Sequence, residues 1–148
     1  MASILIAEDD ASTRQLLSRA LQADEHETFE AKDGAEALEV ARQRSPQLLI
    51  LDVNMPKMNG FEVARRLQAD PGSPDRRIIF LTGAVDEEDH LKGWTVGADA
   101  YLTKPFEPEQ LSDLVREVLS ATPEQLQERR EKEIERAKLL RQMGRFLD

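Results

Sequence analysis

The sequence contains no cysteine and only two histidines, His26 and His90, among its 148 residues. Without cysteine the chain cannot form disulfides, use a thiolate nucleophile or bind zinc through sulfur. Two isolated histidines also cannot form a histidine-rich metal centre. Hard oxygen ligands are therefore the only ligands left for a metal ion.

Long hydrophobic runs are also absent, because no apolar segment approaches the roughly 20 residues that a membrane helix needs. The first ten residues, MASILIAEDD, have no basic region and reach acidic residues by position 8. This is not the pattern of a signal peptide. We therefore expect no membrane partner and a cytoplasmic location.

The charge is unevenly divided along the chain. Residues 1–121 hold 13 basic and 23 acidic side chains, whereas residues 122–148 hold 7 and 6. An acidic surface repels phosphate backbones, so direct nucleic-acid binding is disfavoured and a cation or a basic partner suits the first part better.

Short apolar runs alternate with segments of helical periodicity up to residue 121, which predicts five β/α units. After the first run, Leu16, Leu17, Ala20 and Leu21 are expected on the buried face of a helix. Continuous aliphatic runs, rather than alternating ones, are typical of a parallel sheet that is covered by helices on both faces. The runs that predict strands are ILIA (4–7), ETFEA (27–31), LLIL (48–51), IIFL (78–81) and AYLT (100–103), with later helices near 60–69, 86–96 and 107–121.

Polar side chains follow four of these predicted strands, where ligands bind in a doubly wound sheet. Glu8 and Asp9 follow the first strand, Asp52 the third, Thr82 the fourth and Lys104 the fifth. Two carboxylates about 4 Å apart repel by roughly 4 kcal/mol at an effective dielectric constant near 20. Either protonation or a hard divalent cation must compensate, and an all-oxygen set favours Mg²⁺.

A cation, an ammonium group and a hydroxyl around one aspartate suit phosphoryl transfer, which asks mainly for charge neutralisation and positioning. Asp52 is then the candidate nucleophile, and Asn54 can offer its backbone carbonyl to the metal ion. Each residue alone also has an ordinary explanation. Glu8 and Asp9 can be a solvated loop before a helix capped by Asp10 or Ser12, and Asp52 can be a turn residue.

Four segments in this order resemble the receiver domain of two-component response regulators over residues 2–121. The segments are ILIAEDD, LLILDVNMPKMNG, IIFLTG and GADAYLTKPF. The resemblance implies a flavodoxin-like sheet of strand order 2-1-3-4-5 and Mg²⁺-dependent phosphorylation by a histidine kinase or phosphotransfer protein. Such a domain catalyses its own phosphorylation and dephosphorylation and is not a metabolic enzyme.

The resemblance also implies a role for individual residues. Asp52 matches the phosphoacceptor, Glu8 and Asp9 the acidic pair, and Asn54 the residue whose carbonyl binds the metal. Thr82 and Lys104 match the pair that contacts the phosphoryl group, and Tyr101 matches the aromatic switch. The Lys104–Pro105 peptide is expected to be cis.

Residues 122–148 form a C-terminal extension to the expected receiver domain, 1–121. Thr122, Pro123 and Gln125 form the start signal of a sixth helix, predicted over 123–146 with an exposed first half. Leucines spaced by seven residues permit a coiled coil but encode it poorly. The extension resembles a signalling helix before an output module; an apolar end packed on its own domain or on a dimer mate fits equally well. A homodimer, a C-terminal output domain and a separate effector protein stay open as partners.

Two other classes of function compete with the phosphorylation switch. A phosphorylation-independent interaction scaffold would keep the fold and signal through the tail. A hydrolase that turns over an aspartyl phosphate would place a second aspartate two residues after its nucleophile, where this chain has Asn54. The hydrolase is therefore disfavoured.

Overall fold

The five apolar runs form one five-stranded parallel sheet with strand order β2-β1-β3-β4-β5, as predicted. The computed structural model describes residues 1–71, 76–83 and 87–147, so the predicted start of the fourth helix at residue 86 lies outside the described residues. The strands are β1 (Ser3–Ala7), β2 (Glu27–Ala31), β3 (Leu48–Asp52), β4 (Arg77–Thr82) and β5 (Ala100–Thr103). The helices are α1 (Ala11–Ala23), α2 (Gly34–Arg44), α3 (Gly60–Ala69), α4 (Glu87–Thr95), α5 (Pro108–Ser120) and α6 (Pro123–Leu147).

The core has two layers, because successive side chains of each strand point to opposite faces of the sheet. One face of β1 and β3, with Leu5 and Leu49, packs against α2, α3 and α4. The other face, with Ile4 and Leu48, packs against α1 and α5. Both faces are apolar, which explains why the strands read as continuous aliphatic runs.

The helix start signals mostly behave as expected. Asp10 caps α1 by accepting a hydrogen bond from the Thr13 backbone N–H at 2.9 Å. Thr122 and Gln125 exchange two hydrogen bonds at the start of α6. These two pairs satisfy N–H groups that a helix start leaves without intrahelical partners.

The buried face of α1 differs from the prediction at one position. Leu17 and Leu21 are buried, but Leu16 is 53% exposed. Ser18 takes the place beside Leu17, because its hydroxyl forms a 2.7 Å hydrogen bond with the Thr28 hydroxyl of β2. A polar side chain that finds a partner can be buried at little cost, and the apolar pattern alone did not indicate this.

Helix α6 packs along α4. The prediction that its first half is exposed is therefore wrong in part. Leu126 is 5% exposed and Arg130 contacts the domain. Nearer its end, Leu139 and Met143 are more than half exposed. Among the described helices, none has the length and hydrophobicity to cross a membrane.

Candidate functional site

The predicted site residues lie at the carboxyl edge of the sheet, where β1, β3, β4 and β5 end side by side. Parallel register aligns Asp52 with Leu81 and Thr82 with Thr103. The Lys104 backbone N–H donates to the Thr82 carbonyl at 2.7 Å, and the Val53 N–H donates to the Leu81 carbonyl at 2.8 Å. These bonds continue the sheet pairing past the strand ends and hold the loops of the edge together.

Asp52 is nearly buried, with 3% of its surface exposed. Its Oδ1 accepts a hydrogen bond from the Asn54 backbone N–H at 2.9 Å. Its Oδ2 accepts one from the Lys104 ammonium group, also at 2.9 Å. The carboxylate is therefore held in one orientation by a backbone donor and a positive charge.

Three carboxylates meet at this edge, as the sequence predicts. Glu8, Asp9 and Asp52 each present an oxygen, and these oxygens lie within 4.8 Å of one another. Glu8 is 2% exposed, whereas Asp9 faces solvent. Burial of Glu8, reinforced by its hydrogen bond with Asp52, raises the pKa of Glu8 from 4.5 to about 8. Without a cation, Glu8 therefore keeps its proton to a higher pH than a glutamate in water does.

Lys104 is the positive charge at the centre of the site. Its ammonium group contacts both Glu8 oxygens, at 3.1 and 3.0 Å, as well as Asp52. Burial by itself lowers the pKa of Lys104, but the hydrogen bonds to Asp52 and Glu8 outweigh burial and raise the pKa. Lys104 thus stays charged and is the cation that Glu8 and Asp52 share.

The donor set fits a Mg²⁺ ion. The three clustered side chains offer only oxygen atoms, and the exposed Asp9 leaves the cluster open to solvent on one side. Mg²⁺ prefers one or two carboxylates and keeps several water molecules, so a partly open cluster suits it. Burial also makes the ionised form of Glu8 unfavourable, as its raised pKa indicates, and a bound cation would offset this cost.

Residues 53–59, between β3 and α3, form a loop. The next helix begins at Gly60, after Asn59 caps it by accepting a hydrogen bond from the Glu62 N–H at 2.9 Å. A Cβ atom at Gly60 would lie 2.5 Å from the Asp52 carbonyl oxygen. Only glycine permits α3 to approach the backbone of Asp52 this closely.

Thr82 and Tyr101 lie on neighbouring strands but in different surroundings. Thr82 is fully buried at the end of β4. The Tyr101 ring lies 5.5 Å from the Trp94 ring and 5.6 Å from the Phe80 ring. Its hydroxyl donates to the His90 carbonyl of α4 at 3.3 Å. Tyr101 therefore contacts α4 rather than the acidic cluster.

Sequence reasoning missed Arg14 in the first turn of α1. Its guanidinium group donates to the Glu8 backbone carbonyl at 2.7 Å and to the Glu30 carboxylate of β2 at 3.2 Å. Arg14 thereby fixes the backbone that carries the acidic pair. A search for basic residues one turn after the Asp10 cap could have suggested it.

The cluster can therefore neutralise and orient a phosphoryl group next to a buried carboxylate. Comparison with known proteins agrees with this chemistry. A family model described as response regulator receiver domain matches residues 4–116. The aerobic respiration control protein ArcA of Escherichia coli K12 is 40% identical over 119 residues, which cover 80% of this chain and 49% of ArcA.

Two further relatives show the same extent of similarity. The phosphate regulon transcriptional regulatory protein PhoB of Pseudomonas aeruginosa is 39% identical over 81% of this chain and 52% of its own length. The DNA-binding response regulator MtrA of Mycobacterium leprae is 41% identical over 76% of this chain and 49% of its own length. The chain spans about half the length of these relatives.

A solved structure covers the same region. The chemotaxis response regulator CheY4 of Vibrio cholerae matches with a TM-score of 0.75 and 37% identity. The match covers 80% of this chain and 98% of CheY4.

Proposed function

The chain belongs to the response regulator receiver domain family, and on this premise we propose that it is a phosphorylation-activated switch whose phosphoacceptor is Asp52. One observation carries the proposal above all. The nearly buried Asp52 carboxylate lies with Glu8 and Asp9 in one oxygen cluster and 2.9 Å from the Lys104 ammonium group. The donor is a histidine kinase or a phosphotransfer protein, as membership of the receiver domain family implies.

In the proposed reaction, an Asp52 oxygen attacks the phosphorus of a partner's phosphohistidine. The new P–O bond forms as the P–N bond breaks, and the imidazole leaves with the bonding electron pair. Glu8, Asp9 and Asp52, with the Asn54 carbonyl, would hold Mg²⁺, which supplies charge neutralisation for the phosphoryl oxygens. Lys104, which directly follows β5, supplies a second positive charge, and the Asn54 N–H keeps the Asp52 carboxylate oriented.

Thr82 and Tyr101 are proposed to transmit the state of Asp52. Phosphoryl oxygens can accept hydrogen bonds from Thr82 and Lys104 at positions that the oxygens of the bare carboxylate do not reach. The buried Thr82 hydroxyl would move toward them, and Tyr101 would follow because it lies one strand further, against α4. The affected face would then regulate dimerisation, an effector protein or an output domain.

A small phosphorus–nitrogen donor tests this proposal without knowledge of the natural kinase. The full chain is incubated with phosphoramidate and Mg²⁺, and its intact mass is measured. We expect a single phosphoryl adduct in the wild type and none in Asp52→Asn.

Asp33→Asn is the matched control. Asp33 is also a buried aspartate, but it caps α2 through the Glu36 N–H, and asparagine caps helices about as well as aspartate. This variant should keep the adduct. An undiminished adduct in Asp52→Asn would refute the assignment of Asp52.

A further inference from the structure

Helix α6 is seated on the side of the domain formed by α4 and β5. Leu126 and Ala137 are each 5% exposed, and Ile134 packs against the core cluster that contains Trp94. The other side chains of α6 are mostly polar and exposed. These three residues therefore form the apolar contact of α6 with the domain. This contact surface is narrow for a helix of 25 residues.

A charged contact fastens the same helix. The Arg130 guanidinium group lies 2.7 Å from Asp99 Oδ1 and also donates to the Ala98 carbonyl at 3.2 Å. The Asp99 side chain is 1% exposed, and its second oxygen accepts the Ile78 backbone N–H at 2.8 Å. A carboxylate buried so deeply requires a partner charge, and α6 supplies it.

The middle of this interface is incompletely packed. A cavity of about 410 Å³, partly open to solvent, lies between the domain and the middle part of α6. Trp94 and Tyr101 line it from the domain, and Glu133, Ala137 and Leu140 line it from α6. Where this cavity interrupts the contact with α4, the helix lacks packing energy, so a modest force can shift its position.

One short segment connects this interface with the acidic cluster. Residues 99–104 comprise β5 and one residue on each side. Asp99 binds α6, Tyr101 lines the cavity, and Lys104 contacts Glu8 and Asp52. β5 pairs on one side only, with β4. A change in the partners of Lys104 therefore acts on the same edge strand that holds α6.

We propose that α6 is an internal ligand of the α4–β5 face and that its docking is coupled to the phosphorylation of Asp52. The inference rests on the proposed function. In this structure α6 lies on the α4–β5 face while Lys104 contacts Glu8 and the unmodified Asp52. Phosphorylation draws Lys104 toward the phosphoryl group, loosens α6 and opens the α4–β5 face to a helical partner. Because coupling is reciprocal, loosening α6 in turn favours the phosphorylated state.

Trp94 reports α6 docking directly, because it is the only tryptophan, is 8% exposed and lines the cavity. The full chain with Mg²⁺ is compared with and without beryllofluoride, a stand-in for the phosphoryl group. We expect acrylamide quenching of Trp94 to increase when beryllofluoride binds. Because the chain has no cysteine, spin labels at Gln43→Cys and Gln142→Cys also measure the distance from α2 to α6, which should lengthen.

Two variants test the reciprocal effect. Arg130→Ala removes the ion pair with Asp99. Ala137→Glu disrupts the apolar contact of α6 with the domain and leaves Arg130 and Asp99 in place. Lys138→Glu is the control, because it adds a glutamate at the neighbouring exposed position of α6. Beryllofluoride binding is followed by ¹⁹F NMR. Its affinity should be about fivefold or more tighter in both test variants, as a coupling of ordinary size requires, and unchanged in Lys138→Glu.

The outcomes separate this inference from the proposed function. If the wild type binds beryllofluoride but Trp94 quenching and the label distance stay constant, and the variants bind with wild-type affinity, the coupling is refuted and the phosphoacceptor stands. If neither beryllofluoride nor a phosphoryl group adds to the folded wild type, both fall together. If Arg130→Ala does not fold because Asp99 lacks its partner, Ala137→Glu decides the result.

Discussion

Replacement of Glu8 by glutamine should remove a pH-dependent cost from the folded protein. The pKa of Glu8 is raised from 4.5 to about 8 by burial and by its neighbour Asp52. The folded state therefore binds a proton that the unfolded state has already released over this pH range. Stability must then fall as the pH rises from about 4.5 toward about 8.

The size of the effect follows from the same two pKa values. At pH 7, a carboxyl group with these values in the unfolded and folded states lowers the free energy of unfolding by about 3 kcal/mol relative to acid conditions. Glutamine cannot ionise and does not carry this cost. In EDTA, the free energy of unfolding of the wild type should therefore fall by about 3 kcal/mol more than that of Glu8→Gln between acid and neutral pH.

Urea unfolding at several pH values, in EDTA and in saturating Mg²⁺, measures this difference. Mg²⁺ should abolish the fall in the free energy of unfolding of the wild type, because a bound cation stabilises the ionised carboxylate. The same concentration of Mg²⁺ should stabilise Glu8→Gln less. A wild-type stability that is parallel to that of Glu8→Gln from acid to neutral pH in EDTA would refute the reasoning.

Three further substitutions test other parts of the account. Lys104→Met leaves Glu8 and Asp52 without their shared cation and should lower the free energy of unfolding in urea by about 2 kcal/mol. The loss is smaller than for a fully buried ion pair because Lys104 is 31% exposed, and phosphorylation by acetyl phosphate should also be slower. Gly60→Ala places a Cβ against the Asp52 carbonyl and should destabilise the protein by about 1–3 kcal/mol, whereas Gly83→Ala, whose Cβ meets no atom within 4 Å, should have little effect. Thr82→Ala should still accept a phosphoryl group but lose the change in Trp94 quenching; a full response in this variant would contradict the role of Thr82.

The sheet and its functional edge could be predicted because both follow from local patterns. The central strands β1, β3 and β4 are short aliphatic runs, and parallel strands align their carboxyl ends on one edge of the sheet. Glu8 and Lys104, which are 96 residues apart, could thus be placed together without any knowledge of contacts. The roles of Asn54 and Tyr101 came from family resemblance and stay predictions.

The position of α6 could not be predicted, because its anchors are not part of a pattern. Asp99 follows a loop, and nothing in its neighbourhood indicates that its charge is buried and paired with Arg130. Helix α6 is polar on most of its surface, so its few apolar residues did not define a buried stripe. Similarly, Leu16 was placed on the core side because the pattern could not show that the Ser18 hydroxyl has a partner on β2.

The most direct test of the central claim locates the phosphoryl group at peptide level. The full chain is treated with acetyl phosphate in Mg²⁺ or in EDTA, digested rapidly and examined by tandem mass spectrometry. We expect one phosphoryl group, on Asp52, that forms in Mg²⁺ and not in EDTA. A modification at another residue, or one that forms equally well in EDTA, would contradict it.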